Sequence, residues 1–266
     1  MELIVETIRY KIDSGVAQIA LVQPQTGNAL NSSLINQLSQ ALQAAIADSS
    51  CRAIVLRAEG TDFCKGLDLE WILQQGGRPQ IELFQAFINC LQLICYSHLP
   101  VIACVEGNVT GGGLGLVAAC DLVIANENAI FMLPEVIIGM IPALIAPFLL
   151  RRLTIAQLKY LTLSSRGIDS LEAKAFGLVD EVATEGMATT LNRQLQRLFR
   201  SSPEAIAASK QYFEQLYGSD LQRQTNIALN QLVSWLAQPE VLEGIQSFTE
   251  GFSPPWFQKY RGKTHV

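Results

Sequence analysis

Three stretches of the chain hold residues able to do chemistry. Phe131-Met132-Leu133-Pro134-Glu135-Val136-Ile137-Ile138-Gly139 sets one carboxylate, Glu135, in an otherwise apolar run. Such surroundings disfavour the charged form of a carboxyl, which suits it to move protons. A salt-bridged or solvent-facing glutamate beside a buried turn is the alternative. The other two stretches are glycine-containing turns, each after a predicted strand: Thr61 to Glu70 (TDFCKGLDLE) and Val105 to Leu116 (VEGNVTGGGLGL). Each turn can leave a backbone N–H unpaired, and two such donors facing one cavity make an oxyanion hole. The second turn leads into a helix, whose N-terminus adds positive potential. Glycines also serve tight turns and close packing alone, and the residues by themselves leave both readings open.

Other chemistries lack their residues. The six cysteines, Cys51, Cys64, Cys90, Cys95, Cys104 and Cys120, form no CxxC pair, and the only histidines are His98 and His265. A Cys/His metal site is therefore not expected, and the cysteines read as small core residues. Gly111 to Gly115 (GGGLG) lacks the GxGxxG spacing of a dinucleotide loop. No GxSxG elbow accompanies the histidines, so a Ser–His–Asp triad is not expected.

The elements that must position these residues follow from periodicity. Leu3 to Tyr10 and Val16 to Leu21 read as strands about the turn Asp13-Ser14-Gly15. Asn31-Ser32-Ser33 caps a helix with Leu34, Leu38, Ala41, Leu42, Ala45 and Ile46 on one face. Ala53 to Arg57 is a buried strand, and Glu59 to Asp68 a polar loop. Pro79 opens a second helix carrying Leu83, Phe87, Cys90, Leu91 and Ile94, which Pro100 stops before the strand Val101 to Val105. Leu116 to Ala119 reads as helix, and Asp121 to Ala125 and Ala129 to Met132 as strands. Strands alternating with crossover helices imply an α/β fold with a parallel core.

After about residue 143 the pattern is helical: Ala143–Leu150, Thr154–Leu163, Ser170–Phe176, Met187–Arg200, Pro203–Tyr217 and Leu221–Ala237. The tail Ser253-Pro254-Pro255-Trp256 is not helical, and Trp256 is its natural anchor. Residues 1–200 read as the core, and 201–266 as a helical C-terminal trimerisation or lid region.

With 266 residues, 49% hydrophobic and 16% charged, the chain is long and apolar enough for a full core. A net charge of −5 argues against a nucleic-acid partner. The first residues lack a signal-peptide pattern, and no apolar run reaches the roughly 18 residues of a membrane span. A cytoplasmic protein with no membrane association is expected.

The ordered set of FCKGLDLE, EGNVTGGGLGLVAACDLVIA, FMLPEVIIGMIP and LEAKAFGLVDEV resembles the crotonase (enoyl-CoA hydratase/isomerase) superfamily, from about Val16 to Val182. The resemblance implies a spiral of ββα units, a helical C-terminal part, and a homotrimer or hexamer. It implies no cofactor, the substrate being an acyl thioester carried on CoA or on the phosphopantetheine of an acyl carrier protein. It also implies oxyanion donors at the N–H groups of Leu67 and Gly112, and a catalytic Glu135. Hydratases of the family usually place a second glutamate three residues after the second glycine, where this chain has Gly115. Two carboxylates normally share the water in hydration, so ordinary straight-chain hydratase activity is not expected.

Two similar subfamilies keep only the one glutamate: 3,2-enoyl-CoA isomerases, and the dehydratases of polyketide β-branching. The latter convert 3-hydroxy-3-methylglutaryl-acyl carrier protein to 3-methylglutaconyl-acyl carrier protein. The run Pro142-Ala143…Pro147-Phe148…Arg151-Arg152 and the preceding GGGLGLVAACD look like these dehydratases. The expected function is thus that dehydration, with an enoyl-CoA isomerase or other hydratase-like enzyme as the alternative and a non-catalytic scaffold as a second.

Around the implied centre, Gly115 either widens the acyl pocket or eases helix entry. Asp68 positions water or holds its own loop. Lys65 and Arg151 stand near the motifs as partners for a substrate carboxylate; solvation of Lys65 and a helix-surface ion pair of Arg151 are the plainer readings. Cys64 reads as packing, since no histidine is placed to activate it, and His98 as a helix-end residue. Lys210 either meets the phosphates of a pantetheine arm or carrier protein, or lies on a solvated helix face.

Overall fold

The computed structural model describes residues 3–74, 81–217 and 220–259; Pro79, read above as a helix start, lies outside them. The strands are β1 (Leu3–Val5), β2 (Ile8–Asp13), β3 (Val16–Leu21), β4 (Ala53–Ala58), β5 (Asp62–Cys64), β6 (Val101–Val105), β7 (Asn108–Thr110), β8 (Leu122–Ala125), β9 (Ile130–Met132), β10 (Ile168–Asp169) and β11 (Glu181–Val182). The helices are α1 (Ser32–Ala47), α2 (Leu69–Gln74), α3 (Ile81–Tyr96), α4 (Gly112–Ala119), α5 (Ala146–Leu149), α6 (Ile155–Ser164), α7 (Ser170–Phe176), α8 (Met187–Leu198), α9 (Pro203–Tyr217), α10 (Leu221–Leu236) and α11 (Pro239–Thr249).

Two sheets share the strands. A seven-stranded sheet has the order β1-β2-β3-β4-β6-β8-β11, and a four-stranded sheet the order β10-β9-β7-β5. From β3 to β11 the larger sheet is parallel. In the smaller one β5, β7 and β9 are parallel and β10 is antiparallel. The chain alternates between them: β4 then β5, β6 then β7, β8 then β9, with helices between the pairs. This repeated step from large sheet to small sheet to helix is the ββα spiral.

The buried strands show why their sequences are continuous apolar runs rather than alternating ones. Ile54 and Leu56 of β4 face the main core with Leu34, Leu38 and Leu42 of α1 and Phe84, Phe87 and Leu91 of α3. Val55 between them joins Ile102, Cys104, Ile124 and Leu191 in a second core on the other face. The Asn31 side chain caps α1, accepting from Leu34 N at 3.0 Å. Thr154 and Gln157 form a reciprocal capping box on α6.

Several local readings need correction. Leu3 to Tyr10 is not one strand: β1 folds back on β2 with Val5 opposite Ile8. Thr7, in the turn between the two strands, is held by Gln37, whose Oε1 accepts from Thr7 N at 3.0 Å. The loop Glu59 to Asp68 contains β5, pinned beside β7 by Asn108, whose Nδ2 donates to Asp62 Oδ1 at 2.9 Å. The helix expected at Leu116 begins at Gly112. The helix expected over Ala143–Leu150 is a single turn at Ala146–Leu149, because Pro147 fits only the first turn of a helix. Helix α11 was not expected, although Pro239 at its start and Val241 and Ile245 on its buried face mark it. Helix α10 lies against α3 and α5, and α11 against α2.

Candidate active site

Three neighbouring parallel strands of the smaller sheet deliver the site from their C-terminal ends. Past β5 come Lys65-Gly66-Leu67, past β7 Gly111-Gly112, and past β9 Leu133-Pro134-Glu135. Because Cys64 pairs with Val109 and Val109 with Phe131, the three strand ends lie level. Residues about 70 positions apart in sequence therefore converge by sheet register alone.

Leu67 forms an isolated parallel bridge with Leu30. Leu30 N donates to Gly66 O at 2.7 Å, and Asp68 N donates to Leu30 O at 3.1 Å. In a parallel bridge the residue between those two bonds points its own N–H the other way. Among the described residues the Leu67 N–H has no acceptor. Gly112 is the first residue of α4, so its N–H has no intrahelical acceptor either. Gly66, at φ +84°, joins the two turns: a Cβ there would stand 2.9 Å from Gly112 N and 2.9 Å from Thr110 O. Only glycine combines that backbone conformation with so close an approach. Leu30 and Phe87 wall the amide, since a Cβ on Gly112 would meet Leu30 Cδ1 at 2.8 Å and Phe87 Cζ at 3.5 Å.

Glu135 opens a 3₁₀ turn, Glu135–Ile138, that ends at Gly139 with φ +76°. The residue is buried, at 9% exposure. Its carboxylate lies over the second glycine turn, where a Cβ on Gly111 would stand 3.4 Å from Oε1. Oε2 is buried and without a hydrogen-bond partner among the described residues. Burial pushes the Glu135 carboxyl up to about 7, opposed only by its own backbone N–H. An acid poised there can take a proton and return it at neutral pH, and it stands beside two open amide donors. Of the two readings that the sequence left open for Glu135, the solvent-facing or salt-bridged one is excluded.

The remaining site residues are placed differently. A Cβ on Gly115 would meet Ile145 Cγ2 at 2.5 Å and Leu91 Cδ1 at 3.5 Å. Gly115 therefore does not widen a pocket; its missing side chain admits Ile145. Asp68 caps α2, its Oδ1 accepting from Trp71 N at 3.0 Å, so this carboxylate holds the loop. Lys65 lays its stem across Gly27 and pairs with Asp62 at 3.3 Å. Cys64 is buried, its thiol pushed up to about 12, and its Sγ donates to Asn28 O at 3.2 Å, which makes it packing.

Arg151 and Lys210 belong elsewhere. They line a cavity of about 400 Å³ at the far, C-terminal end of α4, with Cys120, Asp121 and Glu214. There Arg151 pairs with Glu214 and stacks on Tyr217 at 5.3 Å. Lys210 pairs with Asp121 and donates to Leu99 O at 2.9 Å. Lys210 is thus neither a solvated surface lysine nor a free phosphate partner. His98 is exposed just beyond α3. Among the described residues no cluster of three or more His, Cys, Asp or Glu side chains could hold a metal ion. No described helix is long and apolar enough to cross a membrane.

One organiser escaped the sequence reading. Asn28, fully buried at φ 54°, donates through Nδ2 to Glu59 O and Asp62 O, both at 2.9 Å, and accepts from Gln23 N at 2.8 Å. It ties the turn before α1 to the loop that presents Leu67. An asparagine in a turn is the only sequence signal of this role.

Residues 11–259 match the enoyl-CoA hydratase/isomerase family. The chain is 30% identical over 253 residues to the bacillaene synthase dehydratase PksH of Bacillus subtilis, covering 94% of this chain and 96% of that protein. The crystal structure of an enoyl-CoA hydratase from Mycobacterium avium superposes with a TM-score of 0.85 at 29% identity, covering 96% and 100% of the two chains. That of the polyketide-biosynthesis enoyl-CoA hydratase PksH from Bacillus subtilis gives 0.85 at 29% identity, covering 94% and 99%.

Proposed function

Because the chain belongs to the enoyl-CoA hydratase/isomerase family and offers one buried carboxylate beside two open amides, we propose that it dehydrates a 3-hydroxy-3-methylglutaryl thioester on acyl carrier protein. Family membership makes it a hydratase/dehydratase-like enzyme with the crotonase fold. The finer assignment rests on the single acid, on the Pro142…Arg152 run, and on the likeness to the PksH dehydratase.

The thioester oxygen accepts hydrogen bonds from Leu67 N–H and Gly112 N–H. Glu135 removes the C2 proton, and the C2–H electron pair moves into an enolate whose charge rests on that oxygen. Each donor of this kind is worth about 3 kcal/mol to the transition state. The enolate then collapses, the C2=C3 double bond forms, and the C3–O bond breaks. The hydroxyl leaves as water with the proton that Glu135 took. The carboxyl is thus restored to its ionised form, and the product is the 3-methylglutaconyl thioester.

The filling of the space at Gly115 by Ile145 supports one-acid chemistry, and the likeness to the PksH dehydratase carries the choice of dehydration. A second water-holding carboxylate cannot enter at that position without moving Ile145, so proton transfer falls to Glu135. An isomerase needs the same single acid, and it is the second reading. The carrier-borne phosphopantetheine, a homotrimer or hexamer, and a cytoplasmic setting are parts of the proposal. Tyr212, Phe213, Leu216 and Tyr217 of α9 are exposed, which favours assembly through the region after residue 201.

Intact-protein mass spectrometry of 3-hydroxy-3-methylglutaryl-carrier protein incubated with the enzyme tests the reading. Loss of the mass of one water is expected. An unchanged mass, together with interconversion of 3-enoyl- and 2-enoyl-CoA, would establish the isomerase instead; absence of both activities would leave the scaffold.

A further inference from the structure

The C-terminal tail reaches the turn that carries Glu135. Trp256 is 42% exposed, but the outer edge of its ring lies between two glycines: a Cβ on Gly139 would stand 2.5 Å from its Cη2, and a Cβ on Gly244 of α11 would stand 2.0 Å from the same atom. Trp256 Nε1 donates to Ile137 O at 3.3 Å. Trp235 Nε1, from α10, donates to Gly139 O at 2.7 Å. Two indoles thus hold the carbonyls at the far end of the turn that Glu135 opens.

A four-residue 3₁₀ turn has little stability of its own. Inside it, Gly139 N donates to Val136 O at 3.3 Å and Met140 N to Glu135 O at 2.8 Å. Its placement must therefore come from what packs against it. Helix α11 lies against both this turn and α2, the helix that follows Leu67-Asp68. The tail, α11 and α10 form a strap that spans the two arms of the site.

We propose that Trp256 is a positioning residue, seated by Gly139 and Gly244, that fixes the Glu135 turn against the oxyanion loops. The ring keeps the turn in place, and its N–H holds the Ile137 carbonyl. With the ring removed, the turn is free to shift and water reaches the carboxylate. No charged side chain among the described residues contributes to the raised carboxyl of Glu135, so loss of burial is the route by which the strap would change it.

This inference rests on Glu135 as the acid of the proposed function, and its test is chosen to be separable from that reading. The probes are Trp256→Ala, Trp256→Phe and Gly244→Ala in the full chain; the last crowds the ring from the α11 side and also presses on the turn itself, since its Cβ would stand 2.9 Å from Ile138 O. Glu135 is titrated by infrared difference spectroscopy against Glu135→Gln, a readout that requires no turnover. Trp256→Ala and Gly244→Ala should lower the titration from about 7 toward the ordinary carboxylate range, while Trp256→Phe should stay near wild type. In turnover, Trp256→Ala should lose kcat by about 10²-fold with little change in KM, as misplacement of a catalytic group does.

A wild-type titration in both Trp256→Ala and Gly244→Ala would overturn the positioning role, whatever the reaction. A lowered titration in the absence of dehydration would uphold the strap and refute only the proposed reaction. Should Trp256→Ala fail to fold, Trp256→Leu, which lacks both the ring and its N–H, is read by the same measurement: a lowered titration upholds the positioning role and a wild-type one overturns it.

Discussion

Ile145 occupies the space that a side chain at Gly115 would need, its Cγ2 lying 2.5 Å from the position of a Cβ there. The two residues sit on α4 and immediately before α5, so the contact also locks these short helices together. Gly115→Glu should overpack this contact and cost about 1–3 kcal/mol in urea unfolding. Adding Ile145→Ala should recover part of that loss, with a coupling of about 0.5–3 kcal/mol in the double-mutant cycle. Additive effects of the two substitutions would show that the residues do not share the space.

Glu135→Gln keeps the shape of the side chain but cannot accept the C2 proton. Turnover should fall by about 10²–10⁴-fold, the ordinary contribution of a positioned acid–base group. Circular dichroism and elution volume should be unchanged, since the side chain makes no ion pair among the described residues. Retained activity in this variant would remove Glu135 from the mechanism.

The pH dependence follows from the burial of Glu135. Its carboxyl lies at about 7 in the folded chain, against 4.5 for a free glutamate. The base must be ionised, so kcat/KM should rise with pH and level off above about 7. Stability runs the other way. The folded chain holds this proton more tightly than the unfolded one, so the contribution is full below about 4.5 and is lost as pH rises through about 7. The difference is about 3 kcal/mol. Urea unfolding at pH 5 and pH 8 should show this decline in the wild type, and Glu135→Gln should lack it.

Gly66 holds the two donor turns together at a backbone angle that side chains rarely adopt. Gly66→Ala should push the Gly112 amide out of line and lower kcat by about 10²–10³-fold, the cost of losing one oxyanion donor. Stopped-flow single-turnover measurement isolates this chemical step. An unaltered chemical step would mean that the Gly112 N–H does not hold the thioester oxygen.

Much of this site could be read from the sequence because it is written in local signals. The glycines of both turns and the lone acid of FMLPEVIIG are visible in one dimension, as is the cap at Asn31. What stayed hidden depends on contacts across the fold. That Ile145 fills the gap at Gly115 follows from how the residues after Pro142 pack on α4. That Asn28 supports the Leu67 loop depends on hydrogen bonds to Glu59 and Asp62, more than 30 residues away. Lys210 read as a surface lysine because its partner, Asp121, is 89 residues distant. The single turn of α5 was foreshadowed by Pro147, whose effect on helix length outweighed the apolar periodicity around it.

The central claim is that Glu135 removes a proton from C2 of a thioester whose oxygen is held by Leu67 and Gly112. Deuterium wash-in tests it without dependence on the leaving group: 3-methylglutaryl thioester, which has no hydroxyl to lose, is incubated with enzyme in D₂O and followed by mass spectrometry. Wild-type enzyme should exchange one of the two C2 protons, and Glu135→Gln should not. Equal exchange by the two proteins, or none by the wild type, would contradict the account.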